Sequence, residues 1–137
     1  MRDPNPDMEK ARRMPRTPLA DTVAKVVAGV EWFDRVFDIE PAQTDDEEAT
    51  LFYLRDRLPM LIEEVGEYAK ALNNDNLDNA AYNLGDMLFV ILETINILNK
   101  YALSRVARVV ASNLAKSPDT HVLNTSKTKL IPREISL

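Results

Sequence analysis

The chain has 137 residues, of which 45% are apolar, and it carries a formal net charge of −5. This length suits one domain with a modest core, and the acidic balance argues against a nucleic-acid-binding surface. Cysteine is absent, which excludes disulfides and thiol chemistry. No apolar run reaches the length of a membrane span, and the start lacks the apolar core of a signal peptide, so we expect a soluble cytoplasmic protein without a membrane partner.

Residues 1–18 hold four of the eight prolines and several arginines, a composition that predicts an irregular N-terminal arm. Residues 19–116 are predicted to form a helical domain. Its first helix starts near Leu19 with Asp21 as the candidate N-cap, and Pro41 lies in the segment that breaks it. Apolar residues recur along this helix at helical spacing, namely Val23, Val26, Val27, Val30, Phe33 and Phe37.

A second helix is predicted to follow Thr44-Asp45-Asp46-Glu47, a sequence with the pattern of a capping box. Pro59 lies inside this helix and should remove one backbone hydrogen bond, so we expect either one bent helix or two nearly collinear segments. One apolar stripe keeps its phase along the helix: Leu51, Leu54, Leu58, Leu61, Val65, Tyr68 and Leu72.

A third helix shows the same apolar spacing after the short polar connection Asn73-Asn74-Asp75-Asn76. Its stripe comprises Leu77, Ala81, Leu84, Leu88, Ile91, Ile95 and Leu98. A polar connection of this length folds two helices back on each other. We therefore predict that the second and third helices pack antiparallel, as in a bundle.

Three carboxylates lie on the flank of the second helix, away from its leucine stripe: Glu63, Glu64 and Glu67. Their spacings of three and four residues allow all three side chains to converge on one point. Such a group is either a solvated helix face or a cation site, and these residues alone do not decide between the two.

Asp86 in the third helix favours the cation site. It lies opposite the main stripe, as does Glu93 two turns later, on a side made apolar by Met87, Phe89, Val90 and Ile97. A buried Asp is costly without a positive partner, and residues 71–99 contain no Lys or Arg. A divalent cation would supply the charge. The alternative is a buried acid that is hydrogen-bonded to Tyr53, Tyr68 or Tyr82. Hard oxygen ligands without His or Cys indicate Mg²⁺ or Mn²⁺ rather than zinc.

A fourth helix is predicted after a turn at residues 101–103, with Ser104 as its cap and Val106, Val109, Val110, Asn113 and Leu114 on its inward face. Asn113 and Lys116 share one side of its last turn. Residues 117–137 are predicted to form an irregular tail in which Lys127 is either a solvated lysine or part of a flap over phosphates.

The sequence Glu63-Glu64-Val65-Gly66-Glu67, followed after a loop by Leu84-Gly85-Asp86 on an apolar helix, resembles the MazG-like family of all-α nucleoside triphosphate pyrophosphohydrolases. That family includes dimeric dUTPases, dCTP pyrophosphatases and phosphoribosyl-ATP pyrophosphohydrolases. The resemblance covers roughly residues 51–116. In the family, a Glu-x-x-Glu motif and a second Glu-x-x-Asp motif hold Mg²⁺ ions that bind the triphosphate.

Carried over residue by residue, Glu63, Glu64, Glu67 and Asp86 match the family pattern. Asn83 does not, because it stands where the family usually has Glu. An amide oxygen can still ligate a hard cation, but the site then has one negative charge fewer. The resemblance also implies that an Asn and a Lys at the end of the fourth helix contact the nucleotide; here these would be Asn113 and Lys116, which could equally be a polar pair that ends the helix.

We therefore predict an all-α, antiparallel four-helix bundle that pairs into a homodimer or a higher homo-oligomer, because one bundle this small leaves apolar flanks uncovered. The predicted activity is metal-dependent hydrolysis of a (deoxy)nucleoside triphosphate to the monophosphate and pyrophosphate. Glu64, Glu67 and Asp86 would hold Mg²⁺, with Asn83 as a weak ligand, and Glu63 would orient or deprotonate water or hold a second metal. Asn113, Lys116 and Lys127 would bind phosphate oxygens.

Two other functions stay open on the sequence. One is hydrolysis of phosphoribosyl-ATP by a related enzyme class. The other is a non-catalytic helical binding or assembly module with a degenerate metal site, a hypothesis that Asn83 favours. No residue identifies a nucleobase, so the sequence does not predict a base preference.

Overall fold

A computed structural model of the chain describes residues 15–39, 46–98 and 100–134. This part of the chain contains the helices α1 (Pro18–Val36), α2 (Glu47–Asn73), α3 (Leu77–Leu98) and α4 (Lys100–Leu114), then the short strands β1 (His121–Leu123) and β2 (Leu130–Pro132). The predicted all-α class with four main helices is therefore confirmed. Most of the predicted N-terminal arm lies outside the described residues, and Pro18, its last residue, begins α1.

The chain divides into two compact units. The first unit, residues 16–103, contains α1, α2, α3 and the start of α4, and the second contains the chain from Ser104 onward. Within the first unit α3 packs against both α2 and α1. Its contact with α1 includes an edge-to-face pair of Phe33 and Phe89, whose ring centroids are 5.6 Å apart.

Side chains that accept hydrogen bonds from free backbone N–H groups set the beginnings of α1 and α2. Thr17 caps α1, because its Oγ1 accepts a hydrogen bond of 3.2 Å from the N–H of Ala20. The prediction of Asp21 as this cap is therefore wrong. Asp46 caps α2 through Oδ1, whereas Thr44 of the predicted capping box lies outside the described residues.

A tight turn joins α2 to α3. Asp75 adopts a φ of 52° there, a left-handed conformation that Asp and Asn tolerate better than most residues. Asn76 accepts a hydrogen bond of 3.1 Å from the N–H of Asn79 at the start of α3. The polar sequence thus forms the helix-reversing connection that its composition predicts, and α2 continues through Pro59 as one helix.

The faces that α2 and α3 bury differ from the predicted leucine stripes. The buried side chains of α3 are Ala80, Val90, Glu93 and Ile97. Several members of the two stripes are instead exposed: Leu51, Leu58, Val65 and Leu72 on α2, and Leu77, Leu84 and Ile91 on α3. The reason is that α3 is apolar nearly all round, so its periodicity cannot select the side that packs within one chain.

By length and composition alone, α3 is long and apolar enough to cross a membrane. The share of its most apolar window that is buried inside the protein is 17%. From the sequence we expected no apolar run long enough to span a membrane. The central helix of a soluble bundle has the same length and composition, and α3 does pack against two neighbouring helices. The large uncovered apolar area of α3 is the property that bears on function below.

Helix α4 already begins at Lys100, so the predicted turn at residues 101–103 and the predicted cap at Ser104 are wrong. Its valines, which the pattern places on an inward face, are exposed: Val106, Val109 and Val110. The tail is not wholly irregular, because β1 and β2 pair antiparallel with Val122 opposite Ile131. Asn124 stabilises the connecting turn, since its Oδ1 accepts hydrogen bonds from the N–H groups of Thr128 and Lys129.

Candidate active site

The candidate site consists of four acidic side chains on the α2–α3 hairpin. Glu63, Glu64 and Glu67 lie within two turns of α2, and Asp86 lies on α3. Glu63 and Glu67 are exposed, whereas Glu64 and Asp86 are half-buried. We call these four residues the carboxylate cluster.

Electrostatics connect the cluster across the two helices. Partial burial raises the pKa of Glu64 above its usual value, and the negative charges of Asp86, Glu63 and Glu67 raise that pKa further. Asp86 is therefore close enough to Glu64 to oppose its ionisation, although 22 positions separate the two residues in sequence. The hairpin thus places Asp86 near Glu64, which shares the flank of α2 that carries Glu63 and Glu67.

No positive side chain neutralises this cluster within the described residues. The ion pairs found there join Arg16 to Asp21 and Arg57 to Glu93, and neither involves a cluster residue. None of Tyr53, Tyr68 and Tyr82 donates a hydrogen bond to Asp86 in the described part of the chain. Asp86 is also less buried than its apolar sequence surroundings suggest. Part of its carboxylate is therefore in contact with solvent.

The cluster fits a divalent cation in chemistry and in charge. All its donors are carboxylates, which Mg²⁺ and Mn²⁺ prefer, and a cation would relieve the repulsion at Glu64. In the described residues no three His, Cys, Asp or Glu side chains stand close enough together to hold a metal ion as they are oriented. Exposed glutamates on a helix can change rotamer at little cost.

Asn83 is half-buried and lies three residues before Asp86 on α3, on the same side of the helix. It is thus placed where a further ligand from α3 would stand. The amide offers an oxygen without a charge, so the cluster has four negative charges rather than five.

The three candidate phosphate ligands lie in the second unit. Lys116 donates a hydrogen bond of 2.8 Å from Nζ to Oδ1 of Asn113, so these two residues do form a polar pair at the end of α4. Lys127 lies in the turn between β1 and β2 with a φ of 57°. The structure therefore groups Asn113 with Lys116 and places Lys127 in the hairpin turn.

The structure shows an ion pair that the sequence analysis missed. Arg57 of α2 contacts Glu93 of α3, and its Nε donates a hydrogen bond of 3.1 Å to Oγ1 of Thr94. The side chains of Arg57 and Glu93 are only 11% and 7% exposed. Residues 71–99 contain no Lys or Arg, and the positive partner of Glu93 comes instead from the preceding helix. The sequence signal for this partner was an arginine inside the apolar stripe region of α2.

A second buried polar contact joins α1 to α3. Asn96 donates a hydrogen bond of 2.6 Å from Nδ2 to Oδ2 of Asp34, and Asp34 is 4% exposed. Its other oxygen, Oδ1, is buried without a hydrogen-bond partner among the described residues. The first unit thus buries two acids, Asp34 and Glu93, and gives each a polar partner on another helix.

The fold and the cluster together define an all-α protein with an acidic candidate active site between two antiparallel helices. The model of the MazG nucleotide pyrophosphohydrolase domain matches residues 54–133, which is more than half of the chain, so the chain belongs to the MazG family. The matched segment contains the whole carboxylate cluster. Family membership supports an enzyme that hydrolyses phosphoanhydride bonds of nucleotides. No curated protein and no solved structure gives a significant match to this chain.

Proposed function

We propose that this protein hydrolyses a (deoxy)nucleoside triphosphate to the monophosphate and pyrophosphate in a reaction that requires a divalent cation. The observation that carries the proposal is the carboxylate cluster, in which partial burial and the charge of Asp86 raise the pKa of Glu64 while no positive side chain of the described residues pairs with the cluster. The cluster lies inside the segment that matches the MazG domain.

The roles follow from exposure and position. Glu64, Glu67 and Asp86 would hold Mg²⁺, with Asn83 as a neutral ligand. When bound, the ion supplies positive charge against the phosphate oxygens. Glu63 is exposed at the rim of the cluster, where a carboxylate can accept a proton from water or hold a second ion. The backbone segments that carry these carboxylates belong to two packed helices, so the backbone would need little reorganisation during the reaction.

Asn113, Lys116 and Lys127 are the proposed phosphate-binding residues. Lysine supplies a flexible point charge for phosphate oxygens, and the bond from Lys116 to Asn113 restrains its side chain. The turn that carries Lys127 is stabilised by Asn124, so that lysine is presented on a defined loop.

We also propose that the active form is a homodimer or a higher homo-oligomer. The exposed stripe residues of α2 and α3 support this proposal, because monomeric soluble proteins rarely leave contiguous apolar patches of such extent uncovered. A second copy of the chain would cover them in the manner of a symmetric helical assembly.

Asn83 favours one rival function, a binding module in which the metal site has lost its competence. Its amide leaves Asp86 as the single acid that α3 contributes to the cluster. The experiment must therefore separate an active enzyme from a protein that binds nucleotide without turnover.

The test is an assay of purified protein against the common ribo- and deoxynucleoside triphosphates and phosphoribosyl-ATP, with Mg²⁺, Mn²⁺ or EDTA. Products are resolved by ion-exchange chromatography and ³¹P NMR. We expect release of pyrophosphate and a monophosphate with either cation and none with EDTA. Release of inorganic phosphate, or no turnover of any nucleotide with either cation, would contradict the proposal.

A further inference from the structure

A cleft of about 410 Å³ lies within the second unit, where the end of α4 meets the β1–β2 hairpin. Its polar wall is formed by Lys116, Ser117, His121 and Arg133. Ligand pockets in proteins usually measure about 300–1,000 Å³, so a small molecule or part of a larger one fits this volume. We call this feature the basic cleft, because none of the described residues that line it is acidic.

The charge of this part of the chain is opposite to that of the whole molecule. Residues 104–137 contain six Lys or Arg and two acids, Asp119 and Glu134, so their formal charge is +4, whereas the whole chain carries −5. Neither acid forms an ion pair with another described residue. The basic cleft therefore holds positive charge that no acid in the described part of the chain pairs with, and an anion would balance it.

Arg133 is held in place by two contacts with the loop before β1. Its backbone N–H donates a hydrogen bond of 2.9 Å to the carbonyl of Thr120, and its Nε donates one to the carbonyl of Pro118. The two terminal nitrogens of the guanidinium have no hydrogen bond to a described residue. These nitrogens are therefore available as the planar fork that binds two oxygens of one anion.

Lys116 and His121 are half-buried and are oriented by neutral neighbours. Lys116 donates a hydrogen bond of 2.8 Å to Oδ1 of Asn113, which leaves its charge unbalanced. Nδ1 of His121 lies 2.7 Å from Oγ1 of Thr120, whereas Nε2 has no hydrogen-bond partner among the residues that the structure describes. When the Thr120 hydroxyl donates to Nδ1, the neutral imidazole carries its proton on Nε2 and offers it as a donor.

These donors match a phosphoryl group better than a carboxylate. A phosphate monoester carries a charge of about −1.5 to −2 at neutral pH and three strong acceptor oxygens, and the cleft offers the two charges of Lys116 and Arg133. A carboxylate has one charge and two oxygens, so it would leave one of the two cations unbalanced. Val122 and Leu130 line the apolar side of the cleft, where less water competes for the charged groups and their attraction for an anion is stronger.

We propose that the basic cleft binds a phosphoryl group, with Arg133 and His121 as ligands beside Lys116. The group belongs either to a nucleoside triphosphate or to free pyrophosphate, since both present the same oxygens. The inference rests on the proposed function for this choice of ligands, because they are its substrate and its product. Binding in the cleft itself requires no hydrolysis.

His121 is the single histidine of the chain, so its ring NMR signals report on the cleft without ambiguity. The full-length protein is titrated in EDTA, which keeps metal from the carboxylate cluster, and in about 0.15 M salt, which screens exposed charges. We expect saturable shifts with pyrophosphate and with α,β-imido-dUTP, and none with deoxyuridine, which has no phosphate. The lower of the two Kd values identifies the source of the phosphoryl group. No shift with either phosphate ligand, or equal shifts with deoxyuridine, would overturn the proposal.

Arg133→Met should raise the Kd for pyrophosphate roughly tenfold or more, the loss expected for one charge-assisted hydrogen bond. Lys116→Met should have a similar effect, and it leaves the contacts of Arg133 with the loop intact. Arg108→Met is the matched control, because it removes the same charge from α4 at an exposed position outside the cleft, and its Kd should equal that of the wild type. Equal weakening in Arg108→Met and Arg133→Met, or an unchanged Kd in Lys116→Met, would overturn the proposal.

Failure of the cleft and failure of the enzyme give different results. Saturable binding at His121 in EDTA, by a protein that hydrolyses no nucleotide with Mg²⁺ or Mn²⁺, would support the cleft and contradict the proposed function alone. Hydrolysis with either cation, while neither pyrophosphate nor the imido analogue shifts the His121 signals, would overturn the cleft and leave the proposed function standing.

Discussion

Two polar clusters share the α2–α3 hairpin, and they differ in how their charge is balanced. Arg57, Glu93 and Thr94 form a buried group in which each ion has its counter-ion. The carboxylate cluster, about 10 Å further along the same helices, consists of acids alone, and partial burial together with the neighbouring negative charges raises the pKa of Glu64.

The comparison shows how one pair of helices serves both stability and chemistry. A buried ion pair that is complete within the chain contributes structural specificity, and it is strongly disturbed only when one partner is removed. A cluster of like charges costs stability in the protein alone and gains it when a cation binds. The two clusters should therefore respond in opposite ways to neutralising substitutions.

The largest effect is expected on turnover when a cluster acid is removed. Glu67→Ala should reduce kcat/KM about 1,000-fold or more, the order of loss seen when electrostatic stabilisation of a transition state is removed. Its helical circular dichroism should stay that of the wild type, since Glu67 is exposed. The matched control is Asp56→Ala, an exposed acid on the same helix outside the cluster. Equal losses in both variants would show that general charge, not the cluster, matters.

The next largest effect is expected on stability at the buried pair. Arg57→Met should lower the free energy of unfolding by about 3 kcal/mol or more, because it leaves Glu93 buried and unpaired. Urea denaturation at pH 7 measures this change. The variant Arg57→Met/Glu93→Met should recover most of the loss. A single variant as stable as the wild type would mean that the pair contributes nothing to the packing of α2 on α3.

A smaller effect is expected from completing the cluster. Asn83→Glu should tighten Mg²⁺ binding roughly tenfold, or about 1.4 kcal/mol, because a fifth carboxylate would face the ion from α3. Isothermal calorimetry measures the affinity, and Asn79→Glu, at an exposed position of the same helix, is the control. Appearance of turnover only in Asn83→Glu would favour the degenerate binding module over the active enzyme.

The smallest effect concerns Glu64 in the metal-free protein. Because the folded state raises its pKa above the usual 4.5, the ionised form is the less favourable one in the fold. Stability from this group is present below its unfolded pKa and is lost as the pH rises through the folded pKa. Glu64→Gln should therefore raise the Tm slightly at pH 7 and not at pH 3.5. Added Mg²⁺ should stabilise the wild type more than the variant; a lower Tm of the variant at pH 7 without metal would contradict this account.

The parts of the molecule that sequence predicts well are governed by local rules. The antiparallel hairpin follows from two periodic segments and a polar connection, and Asp75 and Asn76 adopt the turn that this connection requires. That Glu63, Glu64 and Glu67 share one flank of α2 follows from helical spacing alone. Asp86 lies near Glu64 because the two helices pack antiparallel.

The parts that sequence does not predict depend on contacts between distant residues. The pairing of Arg57 with Glu93 joins positions 36 apart, and no periodicity marks it. The buried face of α3 was ambiguous because leucines lie on one side and Val90 and Ile97 on the other. Thr17 and Asp21 are both good capping residues, and only the position of Pro18 at the first turn distinguishes them.

The position of Pro59 gives the two clusters separate mechanical behaviour. Proline has no N–H, so the carbonyl of Arg55 lacks its helical hydrogen bond at the boundary between the Arg57–Glu93 ion pair and the carboxylate cluster. Helical segments on either side of such a gap can open as separate cooperative units. In hydrogen-exchange terms, we expect residues 47–58 to lose protection before residues 60–73. The segment before Pro59 would then open and reclose while the carboxylates of the cluster stay in register.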